Sequence, residues 1–94
     1  MKVRRSIMTT DFDHCYLCGA PAECVHHIFF GPNRKISERE GFIVPLCNRC
    51  HNLSEEAVHF NHFKDRKLKM MCQAEYERTH SHGEFMRLIG RNYL

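Results

Sequence analysis

The 94-residue chain has no tryptophan, only three prolines and five glycines, and no apolar run near the roughly 20 residues that span a bilayer. The missing span excludes a helical membrane protein. No low-complexity segment and no internal repeat is present beyond one recurring cysteine motif. The basic opening MKVRRSIMTTDFDH is not followed by the apolar stretch of a signal peptide. The chain is therefore expected inside a cell, where structural disulfides are not. Charge of one sign is also lacking: 14 Lys+Arg against 11 Asp+Glu leave a formal +3, which permits a polyanionic partner without proving one.

What the chain does have is cysteine and histidine, six and eight of them, together 14 of the 94 positions. Hydrophobic residues at 43% and charged residues at 27% describe a folded globular chain. At this length burial is offset by roughly 1.5 kcal/mol of conformational entropy per ordered residue, so some staple is expected. Metal is the staple that uses both residue types.

Residues 1–13 lack periodicity and read as a flexible or loosely docked arm, leaving 14–94 as one domain. Cys15-Tyr16-Leu17-Cys18-Gly19 forms a tight turn, and the β-rich run Cys24–Phe30 after it reads as a strand that stops at Gly31-Pro32-Asn33. Residues 33–41 are expected to form a long loop or one loose helical turn, and Phe42-Ile43-Val44-Pro45 a second short strand. Leu46-Cys47-Asn48-Arg49-Cys50-His51 then leads into a helix through about residue 58. A longer helix is expected from Phe63 to about Thr79, with Leu68, Met71, Cys72 and Tyr76 as its apolar stripe. After a break at Ser81-His82-Gly83, Phe85, Leu88 and Ile89 suggest a last short helix. The expected class is α+β: two short antiparallel strands stapled by zinc, with additional carboxy-terminal helices.

Cys15-x-x-Cys18 and Cys47-x-x-Cys50 each present two thiolates from one turn, and two such turns supply the four soft ligands of a closed, structural zinc site. A thioredoxin-like redox pair would need a βαβ context that is missing. Cys24 and Cys72 are left as packing residues. His26-His27 lies between the knuckles and His51 follows Cys50, so zinc should hold these three histidines close together. A zinc knuckle by itself needs none of them.

Cys-x-x-Cys, then His-His-Ile, then Pro-Leu-Cys-x-x-Cys-His-Asn over about residues 15–60 resembles the zinc-containing HNH endonucleases of the ββα-metal (His-Me finger) type. The tail, from Val58-His59-Phe60-Asn61 to Gly90-Arg91-Asn92-Tyr93-Leu94 and including the helical extension at about 63–94, resembles small phage HNH proteins and the nuclease domain of phage recombination-enhancement nucleases. The resemblance implies a phosphodiester hydrolase in which His27 is the general base, while His26 and His51 hold a catalytic divalent cation. It further implies a phage or prophage origin, the cytoplasm of a bacterial host, and a recombinase or packaging component as a protein partner. Mg²⁺ or Mn²⁺ is the expected cation, and a histidine-rich site also accepts Ni²⁺, Co²⁺ or Zn²⁺.

Two features do not follow the family pattern directly. The middle Asn has no counterpart near Phe42, and Asn33 is the substitute that could pin the backbone or fix the His27 tautomer. Adjacent strand residues also point to opposite faces, so His26 and His27 share one site only if the strand end is twisted or bulged. For the third metal ligand, His59 would stand roughly 12 Å from His51 along a continuous helix and becomes credible only if that helix breaks. Glu55 competes with it, and His62 reads as a solvated or DNA-facing residue. Arg34 and Arg49 are the candidate contacts to a DNA backbone, with no code for base specificity. A non-catalytic zinc module that binds nucleic acid or protein is the alternative reading.

Overall fold

The computed structural model describes residues 5–53, 57–59 and 61–94. Its elements are β1 (Cys24–His27), a 3₁₀ turn (Gly31–Asn33), α1 (Arg34–Glu40), β2 (Ile43–Leu46), a π-helical turn (Arg49–Leu53), α2 (His62–Tyr76) and α3 (His82–Ile89). This is the expected α+β class. The two strands pair antiparallel, with His26 opposite Val44 and His27 opposite Ile43.

Several boundaries differ from the sequence expectation, each for a local reason. The first strand ends at His27, not Phe30, because Ile28 and Phe29 turn inward and are 0% and 2% exposed. Residues 34–40 form a full α-helix where a loop or loose turn was expected. Ser37 is wholly buried: its hydroxyl donates to the Phe29 carbonyl at 2.6 Å and accepts from the Phe29 amide at 3.1 Å. That pair of bonds anchors a segment whose other side chains are mostly polar. Gly41 ends α1 in the left-handed region at φ 79°, and a Cβ there would sit 2.9 Å from the Arg5 carbonyl oxygen. Along the same edge, the Ile7 amide donates to the Gly41 carbonyl and Ser6 to that of Ile43, which docks this part of the amino-terminal arm.

Pro45 lacks an amide proton, yet its carbonyl is used: it accepts from the Tyr16 amide at 2.8 Å and so ties the first knuckle to β2. All four residues of β2 are buried, since the knuckle and the arm cover what the hairpin and helices leave open. Below the hairpin, Phe29, Phe42, Tyr76 and Phe85 form a ring-to-ring core, with Phe29–Phe42 centroids 5.5 Å apart and Phe42–Tyr76 5.4 Å. Each such pair adds about 1 kcal/mol beyond area burial.

The stripe of α2 is Leu68, Cys72, Gln73 and Tyr76; Met71, expected within it, is 39% exposed. Gln73 is fully buried because its amide clamps the tail, donating to Asn92 Oδ1 at 2.8 Å and accepting from the Tyr93 amide at 2.7 Å. Ser81-His82-Gly83 is less a break than a helix start. Ser81 caps α3 through a reciprocal bond pair with Glu84. No helix among the described residues is long and apolar enough to cross a membrane.

Candidate metal centres and the histidine cleft

Cys15, Cys18, Cys47 and Cys50 converge so that their sulfurs all lie within 4.8 Å of one another, with Cys18 and Cys47 at 3.6 Å. Zinc–sulfur bonds of about 2.3 Å in a tetrahedron require sulfur–sulfur edges of about 3.8 Å, so the four residues fit a metal. Burial works against the Cys15 thiolate, but amides of Cys47, Cys18 and Leu17 point at its sulfur and bring its pKa down to about 6. Backbone donors aimed at sulfur are what a thiolate ligand needs. Cys24 stands outside this group and donates to the Leu46 carbonyl at 3.3 Å, while Cys72 is buried in the core and its thiol is pushed up by that burial.

A second group forms from His26, His51 and His59, one ring nitrogen of each lying within 4.8 Å of the others. Three pieces of chain meet here. His26 comes from β1 and is 2% exposed. His51 rides on the π-helical turn, fixed behind the second knuckle by its amide bond to the Cys47 carbonyl at 3.0 Å. His59 arrives through a turn at residues 57–59, where a helix to residue 58 was expected. Instead the Val58 amide returns to the Cys50 carbonyl at 2.8 Å, and the His59 amide to that of His51 at 3.4 Å. The two Nε2 atoms of His51 and His59 end 2.9 Å apart.

The fit of a cation to this group rests on His26. Its Nε2 is buried and has no hydrogen-bond partner among the described residues. An orphaned buried polar atom is destabilising by about 1–3 kcal/mol, and a ligated ion removes that penalty. Burial, followed by the nearby His51 and His59, lowers the His26 pKa to about 3, so the ring stays neutral and free to ligate. Burial and His59 lower the His51 pKa as well. Glu55, the competing ligand by sequence, lies outside the described residues.

His27 occupies the last position of β1, where the strand gives out, and both adjacent histidines line one cleft of about 190 Å³ with His51, His59, Phe30 and Arg34. His27 Nε2 lies 2.7 Å from Glu38 Oε2, with the side chains only 11% and 22% exposed. An ionised carboxylate only accepts, so Nε2 donates, and in the neutral form of the ring Nδ1 is the atom with the free lone pair. Asn33, expected near this ring, donates instead to the Ile89 carbonyl at 3.3 Å. Glu38 was missed by sequence reasoning, since nothing in NRKISEREG sets it apart from a solvated charge.

Of the two candidate arginines, Arg34 borders the cleft, whereas Arg49 is exposed on the π-helical turn and is not among its lining residues. His62 opens α2 and lines a different cleft with Asp65, Arg66, Lys69, Arg91 and Tyr93.

Comparison with curated proteins gives a partial relative. The mitochondrial DNA mismatch repair protein mutS homolog of Sarcophyton glaucum is 44% identical over 45 residues, covering 42% of this chain. The chain spans only 4% of that protein's length. No protein-family model matches the chain, and no solved structure matches it. The firm conclusions are a partial likeness to a DNA mismatch repair protein, four cysteines and three histidines positioned to bind metal ions.

Proposed function

We propose that the protein is a metal-dependent DNA endonuclease of the HNH type, with His27 as general base, a divalent cation held by His26, His51 and His59, and a structural zinc held by Cys15, Cys18, Cys47 and Cys50. The observation that carries this reading is the shared cleft: a three-imidazole ligand set and a carboxylate-oriented fourth imidazole face the same space. A zinc-binding module without chemistry has no use for that combination. The partial likeness to a DNA mismatch repair protein supports DNA as the substrate.

A divalent cation bound there supplies stabilisation of the negative charge that develops on the phosphate and on the leaving oxygen. The chain's own residues do the rest. His27 Nδ1 accepts a proton from the attacking water, and the imidazolium that results is stabilised by Glu38 at the opposite ring nitrogen. Glu38 also prevents the ring from rotating or switching tautomer between turnovers. Arg34 at the cleft edge neutralises a phosphate oxygen without reading a base. The zinc-binding knuckles position His51 and do no chemistry.

The test is a plasmid-nicking assay with Mg²⁺, Mn²⁺, Ni²⁺, Co²⁺ and Zn²⁺ in turn, on wild type and His27→Ala with bound zinc counted in both. Metal-dependent nicking that disappears in a folded, zinc-loaded His27→Ala protein is the expected result. Failure of the wild type to nick with every metal, with DNA affinity intact, would instead identify a binding module.

A further inference from the structure

A second cleft, of about 240 Å³, lies where α2 meets the carboxy-terminal tail, lined by His62, Asp65, Arg66, Lys69, Arg91 and Tyr93. We propose that it binds a backbone phosphate of the same DNA that enters the histidine cleft; this deepens, and rests on, the nuclease reading above.

The charge balance comes first. Arg66, Lys69 and Arg91 face a single carboxylate, Asp65, which pairs with Lys69 at 2.7 Å. Among the described residues no carboxylate pairs with Arg66 or Arg91. Holding like charges together is unfavourable unless an anion completes the group.

The cleft is also built rather than incidental. Lys69 Nζ stands 5.7 Å from the centroid of the Tyr93 ring and the Arg91 guanidinium 5.2 Å from it, so two cations share one aromatic floor. That floor is fixed: the Tyr93 amide donates to buried Gln73, and its ring packs against Phe29 at 5.5 Å. Arg91 therefore sits on an anchored tail.

The two clefts are joined by one aromatic ring. Phe30, 44% exposed, lies 5.6 Å from the His59 ring and 6.2 Å from that of His26, while Lys69 Nζ stands over it, 4.3 Å from its centroid. A strand crossing the histidine cleft would pass over Phe30 and place a neighbouring phosphate among Lys69, Arg66 and Arg91. The basic residues of α2 thereby act as a register device, setting which bond faces His27 without reading its sequence.

The experiment measures duplex binding by fluorescence anisotropy between 50 and 200 mM salt, in a His27→Ala background that keeps the metal ligands and prevents turnover. Arg66→Gln and Arg91→Gln are each expected to reduce the slope of log affinity against log salt by about one, and the double variant by about two. Arg78→Gln, a charge ion-paired to Glu75 at 3.1 Å and outside both clefts, serves as control for net charge. Both cleft arginines are exposed, so unchanged circular dichroism is expected throughout. A double variant whose slope falls no further than the control overturns the cleft, and absence of any DNA binding overturns it along with the nuclease reading. The remaining outcomes separate the two: reduced slopes in a protein whose wild type never cleaves keep the cleft and remove the nuclease. Cleavage dependent on His27 with unchanged slopes does the reverse.

Discussion

Glu38 accepts a hydrogen bond from His27 Nε2 at 2.7 Å, across the gap between α1 and the last residue of β1. In the neutral ring the carboxylate leaves Nδ1 as the proton acceptor, and among the described residues Glu38 is the one acidic group hydrogen-bonded to this imidazole.

Glu38→Gln keeps the shape of that contact and removes its charge. It is expected to lower the cleavage rate about 100-fold, within the range by which orienting partners of a catalytic or ligating histidine act. DNA affinity should change little. His27→Ala should lower the rate by a further factor of about 10 to 100. Single-turnover nicking rates decide this, and a Glu38→Gln protein as fast as wild type would show that the bond is only structural.

The two metal groups should separate by ligand chemistry. Cobalt titration of the metal-free protein is expected to show two equivalents: one with the thiolate-to-metal absorption of a cysteine site, and one without it. His59→Ala should weaken only the second equivalent, by more than about 100-fold, since it removes a direct ligand and not an outer partner. Cys18→Ala should abolish the first and unfold the chain, because structural zinc contributes on the order of 10 kcal/mol and total stability is of similar size. One equivalent in wild type would leave His51 and His59 as a hydrogen-bonded pair and His26 without a metal.

These groups were legible in the sequence to different degrees. The cysteine pairs could be read because each turn carries its own two ligands. His26, His27 and His51 could be read because the two cysteine turns, which converge, stand on either side of them in the chain. His59 could not be placed by spacing alone, since its position depends on the return of Val58 and His59 to the carbonyls of Cys50 and His51. Glu38 was hidden in NRKISEREG, where a solvated segment and a helix anchored by one buried serine have the same composition. Gln73 broke the apolar pattern of α2 for a similar reason: a buried amide with three hydrogen-bond partners packs as well as a methionine.

Acid should destabilise the fold through His26. In the unfolded chain this imidazole takes up a proton at about pH 6.5, whereas in the folded protein it does so only near pH 3. Between those values the unfolded state holds the extra proton, so stability falls as pH drops below about 6.5 and stops falling near 3. At pH 5 the loss is about 2 kcal/mol. Urea unfolding at pH 7.5 and 5.0, with one equivalent of zinc to fill the cysteine site, should show this extra loss in wild type and not in His26→Leu. Equal losses in both proteins would place the acid sensitivity elsewhere.

Ser37 tests whether the fold positions the base. Its hydroxyl satisfies both the amide and the carbonyl of Phe29 in a site with no access to water. Ser37→Ala leaves those two groups unpaired, and a stability loss of about 2–4 kcal/mol is expected from urea unfolding. A purely structural role ends there. If Ser37 also holds α1 so that Glu38 reaches His27, the variant should cleave more slowly under conditions where it is fully folded, with cobalt affinity at the histidine cleft unchanged. The double variant Ser37→Ala/Glu38→Ala decides between the two. Once the side chain that reaches His27 is gone there is nothing left for Ser37 to position, so the double variant should cleave no more slowly than Glu38→Ala alone. Additive rate losses would mean that Ser37 reaches the cleft by another route.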